Sequence, residues 1–166
     1  YYTGTVYETT LLDHPEIERW TRKETYENIR AAGGCMIQAH PFRMRGYLNA
    51  IRVCDLYADG IEVANAGNTP AQDAYAAQYC KARGIYTIAG SDNHKSHAGS
   101  VLYGVGLDKP VDSVAEWVQH ILQKQPHTLL VPEGRFDGNP TLEPLLPSYW
   151  LNEQEEFVEL PMDWLK

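Results

Sequence analysis

The chain has 166 residues, 43% of them apolar and 22% charged, with a formal net charge of -8 and a pI near 5.2. That length supports one domain with a real core and excludes two comfortable ones. A net negative surface repels phosphate backbones, and the one tight basic cluster, Arg43-Met44-Arg45, is too small for a duplex-binding face, so nucleic acid is not an expected partner. No run approaches the roughly 18 apolar residues of a membrane span, and Tyr1 to Glu8 reads neither as a basic leader nor as an apolar signal core. Cys35, Cys54 and Cys80 are widely spaced inside apolar runs and form no CxxC pair, so buried free thiols are expected and a structural zinc knot is not. A soluble, cytoplasmic protein follows as the expectation.

Along the chain, Asp13-His14-Pro15 opens a first helical region, with Asp13 placed to cap and Pro15 suited to a first turn. Lys23 to Ala32 continues as helix and stops at Gly33-Gly34. Cys35 to Ala39 is a buried-strand run ending at His40-Pro41. Leu48 to Leu56 reads as a short helix, Gly60 to Ala64 as a strand and Asn65 to Asn68 as a loop. Thr69-Pro70 starts a helix running to Arg83, with Gly84 as its stop. Ile85 to Ala89 is a further strand ending at Gly90-Ser91-Asp92-Asn93-His94, and Val101 to Val105 another. Val111 to Lys124 is an amphipathic helix closed by Pro126, and Thr128 to Val131 reads as a last strand. The remainder is proline-rich and then acidic and aromatic (Trp150, Phe157, Trp164); residues 141–166 are set apart as a C-terminal tail from a domain over 1–140. Strands alternating with helices of ten or more residues indicate an α/β fold with a parallel sheet built from crossover units. Too few strands are present for a closed barrel, so the chain reads as part of a larger fold.

In parallel α/β folds functional groups collect at the carboxyl ends of the strands. His40 falls at one such end, Asn65 at the next, and Asp92 with His94 at a third. In an extended chain residues i and i+2 share a face, so Asp92 and His94 form a chelating pair for a divalent cation. Mixed His and Asp ligation suits zinc, manganese or iron better than magnesium or calcium. A histidine before a proline also reads as a turn residue, and a DxH triplet arises by chance, so spacing alone leaves a metal site and a coincidence equally open.

Three segments then resemble a known family. Gly33 to Arg43 is a strand ending in His-Pro, Asp59 to Ala66 a "GIEVxN" strand, and Ala89 to His94 a GSDxH motif, in the order and spacing of the polymerase-and-histidinol-phosphatase (PHP) family of metal-dependent phosphoesterases. The resemblance covers residues 13 to 135. It implies a distorted (β/α)7 TIM-like barrel, here its C-terminal portion, with two or three metal ions at the barrel mouth. It also implies hydrolysis of a phosphate ester of a small metabolite or nucleotide by metal-activated water. Carried over by position, His40, Asp92 and His94 match family metal ligands. Arg43 follows the His-Pro step and reads as a phosphate-holding guanidinium or as an exposed salt-bridge partner. Asn65 reads as a residue orienting the site, and His97 as a loop residue or a substrate contact. Glu62, three residues before Asn65, is expected on the opposite side of its strand and outside the ligand set. His14, His120 and His127 read as surface or capping residues.

The family's first motif, a His-x-His, does not occur in this sequence. The expectation is therefore a fragment of a longer enzyme, inactive alone, whose open sheet edge and apolar interior invite self-association. A non-catalytic scaffold with an incomplete metal site is one competing reading. A barrel amidohydrolase cleaving a C–N bond is another, against which the His two residues after Asp92 argues.

Overall fold

The computed structural model describes residues 2–5, 16, 19–93, 103–138 and 145–161. Its elements in chain order are β1 (Tyr2–Thr5), α1 (Arg22–Ala31), β2 (Cys35–Gln38), β3 (Ile51–Val53), a 3-10 turn (Asp55–Tyr57) and β4 (Gly60–Asn65). They continue with α2 (Pro70–Arg83), β5 (Thr87–Gly90), β6 (Gly104–Gly106), α3 (Val114–Leu122), β7 (Thr128–Leu130), β8 (Ser148–Leu151) and β9 (Phe157–Glu159).

The helix ends follow from local chemistry. Thr21 and Glu24 form a reciprocal capping box on α1, and Thr69 and Gln72 do the same on α2, where Pro70 fills the first helical position. Gly84 closes α2 in the left-handed region at φ 62, which costs an L side chain energy and glycine nothing. Ser113 caps α3 by accepting from the Glu116 amide.

The strands make three sheets: β1-β2-β4-β5, β3-β8-β9 and β6-β7. Strands β2, β4 and β5 run parallel, with α2 as the crossover between β4 and β5. The (β/α)7 barrel is overturned, because none of these sheets closes on itself among the described residues. The cause lies in the connections and edges. Strand β1 pairs antiparallel with β2 and takes up the edge where a parallel neighbour would continue. The link from β2 to β4 carries no α-helix; it carries the short 3-10 turn and β3, which leaves for another sheet. Beyond β5, β6 turns away to pair antiparallel with β7. A parallel barrel needs a crossover at every step, and among the described residues only the step from β4 to β5 has an α-helical one.

The helix expected over Leu48 to Leu56 is also corrected. Ile51 and Val53 are buried and Arg52 between them is exposed, the alternation of a half-buried strand rather than a helical stripe. The strand expected over Val101 to Val105 is seen as Gly104–Gly106, with Val101 and Leu102 outside the described residues. The helix start at Asp13-His14-Pro15 and Trp164 also lie outside them. From the segment expected as a tail, β8 pairs in parallel with β3, β9 pairs with β8, and Leu160 joins the main core.

That core lies between α2 and the face of β3 and β4. Phe42 stacks on Tyr75 at 6.3 Å between centroids and tilts against Tyr79 at 5.6 Å, with Ile51, Val53, Ile61 and Val63 around them. The Tyr79 hydroxyl donates to Asp55 Oδ2 at 3.0 Å, and burial holds its pKa far above the usual phenol range. A second cluster sets Val118 and Ile121 of α3 against Cys35, Ile37 and Tyr86, whose hydroxyl burial pushes up to about 12. All three cysteines are buried. Among the described residues no helix is long and apolar enough to cross a membrane. Ile61 is fully buried at the centre of the sheet, so Ile61→Ala should cost about 2–5 kcal/mol in urea unfolding; a loss below about 1 kcal/mol would mean that the β4 face is not core.

Candidate functional site

Parallel pairing sets the carboxyl ends of β2, β4 and β5 side by side. Gln38 lies opposite Ile61, and Asn65 opposite Gly90. His40 follows β2 by two residues and Asp92 follows β5 by two, so both sit at one end of the sheet, next to Asn65. Each adopts a left-handed backbone, His40 at φ 33 and Asp92 at φ 52. Non-glycine residues held there cost on the order of 1–3 kcal/mol each and persist only where their surroundings fix them.

The surroundings are specific. Glu62 Oε2 accepts from the His40 backbone N–H and pairs with His40 Nδ1, both at 2.9 Å. Glu62 Oε1 accepts from Asn65 Nδ2 at 3.0 Å. Strict alternation puts Glu62 and Asn65 on opposite faces, and the exclusion of Glu62 from the site rested on that parity. The β4–β5 register shifts between Glu62 and Ala64, so one residue is added and the parity reverses. Glu62, buried at 7% exposure, thereby reaches the same polar cluster as Asn65.

Arg43 closes the other side. Its guanidinium donates through Nη1 to Asp92 Oδ2 and through Nε to Asn68 Oδ1, each at 2.8 Å, and through Nη2 to Asn65 Oδ1. With its side chain only 12% exposed, Arg43 is not the exposed salt-bridge partner that one reading allowed. Arg45 reaches over to the Gly67 carbonyl at 2.8 Å. Behind the turn lies Asp73, with no exposure, which accepts from Arg135 Nε at 2.6 Å and from Asn68 Nδ2 at 2.8 Å. Burial raises the pKa of Asp73, against the opposing pull of Arg135 and Asn68. Arg135 Nη2 also donates to the carbonyls of Asn65 at 3.0 Å and Asn68 at 2.7 Å.

His40, Pro41, Arg43, Tyr47, Leu48 and Arg52 border a cavity of about 230 Å³. A larger one, about 450 Å³, opens beside Asp55, Arg83 and Trp150 at the far end of α2, about 20 Å from the Asn65–Asn68 turn along a 14-residue helix. His40, with its left-handed backbone, and Arg43, whose guanidinium binds Asp92, both line the smaller cavity, which is therefore the candidate site.

Of the residues expected to act, the structure brings together His40, Asp92, Arg43 and Asn65 in one hydrogen-bonded cluster. His94 and His97 lie outside the described residues. Among the described residues no group of three or more His, Cys, Asp or Glu is placed to hold a metal ion. His40 suits a ligand, since engagement of Nδ1 by a carboxylate leaves Nε2 as the coordinating atom. Asp92 suits a second with the carboxylate it shares with Arg43, and a third donor has to come from beyond this cluster. Sequence reading missed Glu62, Asn68, Asp73 and Arg135. The pattern Asn-x-x-Asn before a capped helix was the only signal for any of them, because Asn favours turns.

Comparison of the chain with protein-family models, curated proteins and solved structures returns no match.

A Cβ built on Gly90 would run into Glu62 Oε1. Gly90→Ala should therefore push the carboxylate off Asn65 and His40 and destabilise the chain by about 1–3 kcal/mol, read by urea unfolding with imidazole NMR of His40. An unperturbed His40 spectrum would place Glu62 elsewhere.

Proposed function

We propose that this chain contributes His40, Asp92 and His94 to the site of a metal-dependent phosphoesterase that hydrolyses a phosphate ester of a small metabolite or nucleotide. The observation that carries this reading is His40 itself: an imidazole just past a strand tip, held by a carboxylate through Nδ1, on a left-handed backbone that opens a turn. Glu62 fixes the ring so that Nε2 carries the lone pair. Asp92 adds a carboxylate from the neighbouring strand. Arg43, two of whose three guanidinium partners are neutral amide oxygens, lines the cavity and can turn donors toward an anionic phosphoryl group. Asn65 orients Glu62 rather than touching the substrate. Zinc, manganese or iron, two or three ions in a complete site, would supply Lewis acidity toward water and phosphoryl oxygen.

A second reading is favoured by one observation. Arg43 satisfies Asp92, Asn65 and Asn68 at once, so the cluster is closed upon itself, as a non-catalytic scaffold requires. The two separate in the intact protein carrying this chain, assayed for inorganic phosphate release from a panel of phosphate monoesters with Zn²⁺, Mn²⁺ or Fe²⁺. His40→Ala and Asp92→Ala should each cut the rate by about 100-fold or more and lower the bound-metal content. Equal rates and metal content in wild type and both variants would leave the scaffold.

A further inference from the structure

We propose that Arg135 and Asp73 are a positioning pair for the strand-end cluster: their buried ion pair holds the Asn65–Asn68 turn, and that turn orients His40 and Asp92. The function of the cluster rests on the reading above; the way its side chains are held does not.

The turn is gripped from two sides. Arg135 takes both of its terminal carbonyls, those of Asn65 and Asn68. Asp73 takes the Asn65 amide N–H at 3.3 Å and the Asn68 side-chain amide at 2.8 Å. The ion pair itself, at 2.6 Å, joins groups 62 residues apart in sequence. With 12% and 0% side-chain exposure this is no solvated surface bridge.

Direction of donation then propagates. An asparagine amide can be turned over unless its neighbours decide which end is which. Arg135, which only donates, occupies Asp73 Oδ2, while Asp73 Oδ1 accepts from Asn68 Nδ2, so Asn68 presents Oδ1 to Arg43, which only donates. Arg43 is thereby fixed, and its other nitrogens meet Asp92 Oδ2 and Asn65 Oδ1. Asn65 Oδ1 also accepts from the Gly67 N–H at 2.8 Å, which leaves Nδ2 for Glu62. The second oxygen of Glu62 takes His40. Turning over any link would set two donors or two acceptors face to face. A buried ion pair adds little net stability over apolar residues of similar size, so fold stability alone is a weak reason for this one. Specifying the orientation of the six polar side chains from Asn68 to His40 is a better one.

The test uses Arg135→Met, Arg135→Lys and the isosteric Asp73→Asn in the intact protein, with long-range proton–nitrogen NMR of the His40 imidazole beside phosphate-release kinetics. In the wild type the neutral ring should carry its proton on Nδ1. Arg135→Met and Asp73→Asn should give a mixture of tautomers, with kcat lowered about 10- to 100-fold and KM within about twofold. Arg135→Lys restores the charge but not the forked donors, and should recover part of both signals. Ile121→Ala, in the other core cluster, supplies a comparable stability loss and should leave the imidazole spectrum unchanged. The proposal is overturned if the Arg135 and Asp73 variants lose stability while the His40 spectrum stays that of the wild type. Should Arg135→Met fail to fold, the Lys and Asn variants decide by the same readout. Absence of phosphate release from the wild type would sink the functional reading and leave the imidazole spectrum to judge this one.

Discussion

The carboxylate of Glu62 accepts from the backbone and ring of His40 and from the amide of Asn65, and so ties the ends of two strands together, while Arg43 joins the third through Asp92. Two parallel strands do not by themselves bring side chains at their tips together; the pleat sends alternate residues to opposite faces. One extra residue in β4, between Glu62 and Ala64, changes which face Glu62 occupies. The glycine opposite Asn65, Gly90, leaves the room its oxygen needs. Without either, the acid would face away from His40 and the imidazole would lose its anchor.

Around that carboxylate the charges are arranged in series. Glu62, Asp73 and Asp92 are answered by Arg43 and Arg135, with Asn65 and Asn68 as neutral spacers that accept on one side and donate on the other. Taking an ion out of water costs several kcal/mol, and pairing returns that only when the remaining donors and acceptors are met. Here the forked guanidiniums meet them: Arg135 reaches one carboxylate oxygen and two carbonyls, and Arg43 one carboxylate oxygen and two amide oxygens. Lysine, with a point charge, could not bridge either set. The consequence is a network that specifies one geometry more than it adds stability.

How much of this the sequence made legible depends on the range of the interaction. The helix caps at Thr69-Pro70 and Gly84 and the buried strands around Ile37 and Ile61 are local, and their residues announced them. So did the placement of His40, Asn65 and Asp92 at strand ends, since strand, polar tip and helix follow one another within a few residues. The failure of the expected barrel was not legible, because whether β1 pairs parallel or antiparallel with β2 depends on chain direction in space, not on composition. Nor was β3: Ile51 and Val53 alternate over only three residues, too few to separate a strand from a helical turn, and their partner, β8, lies about a hundred residues on. Arg135 was invisible for the same reason, and Glu62 because a single-residue bulge leaves no compositional trace.

The left-handed backbones of His40 and Asp92 join these levels. Each is a conformation that a free chain would leave, worth on the order of 1–3 kcal/mol against folding. At His40 the backbone N–H and the ring share one oxygen of Glu62, and its carbonyl accepts from the Arg43 N–H at 3.0 Å, so both sides of the residue are tied. At Asp92 the side chain is tied to the same Arg43. A single arginine thus supports the two strained residues, through its backbone for one and its guanidinium for the other, and it keeps that geometry because Asn65 and Asn68 hold it in turn. Strain at the two strand tips and order in the Asn65–Asn68 turn are therefore one quantity. What loosens the turn relaxes the tips, and an imidazole free to rotate no longer presents a defined nitrogen to anything that enters the cavity.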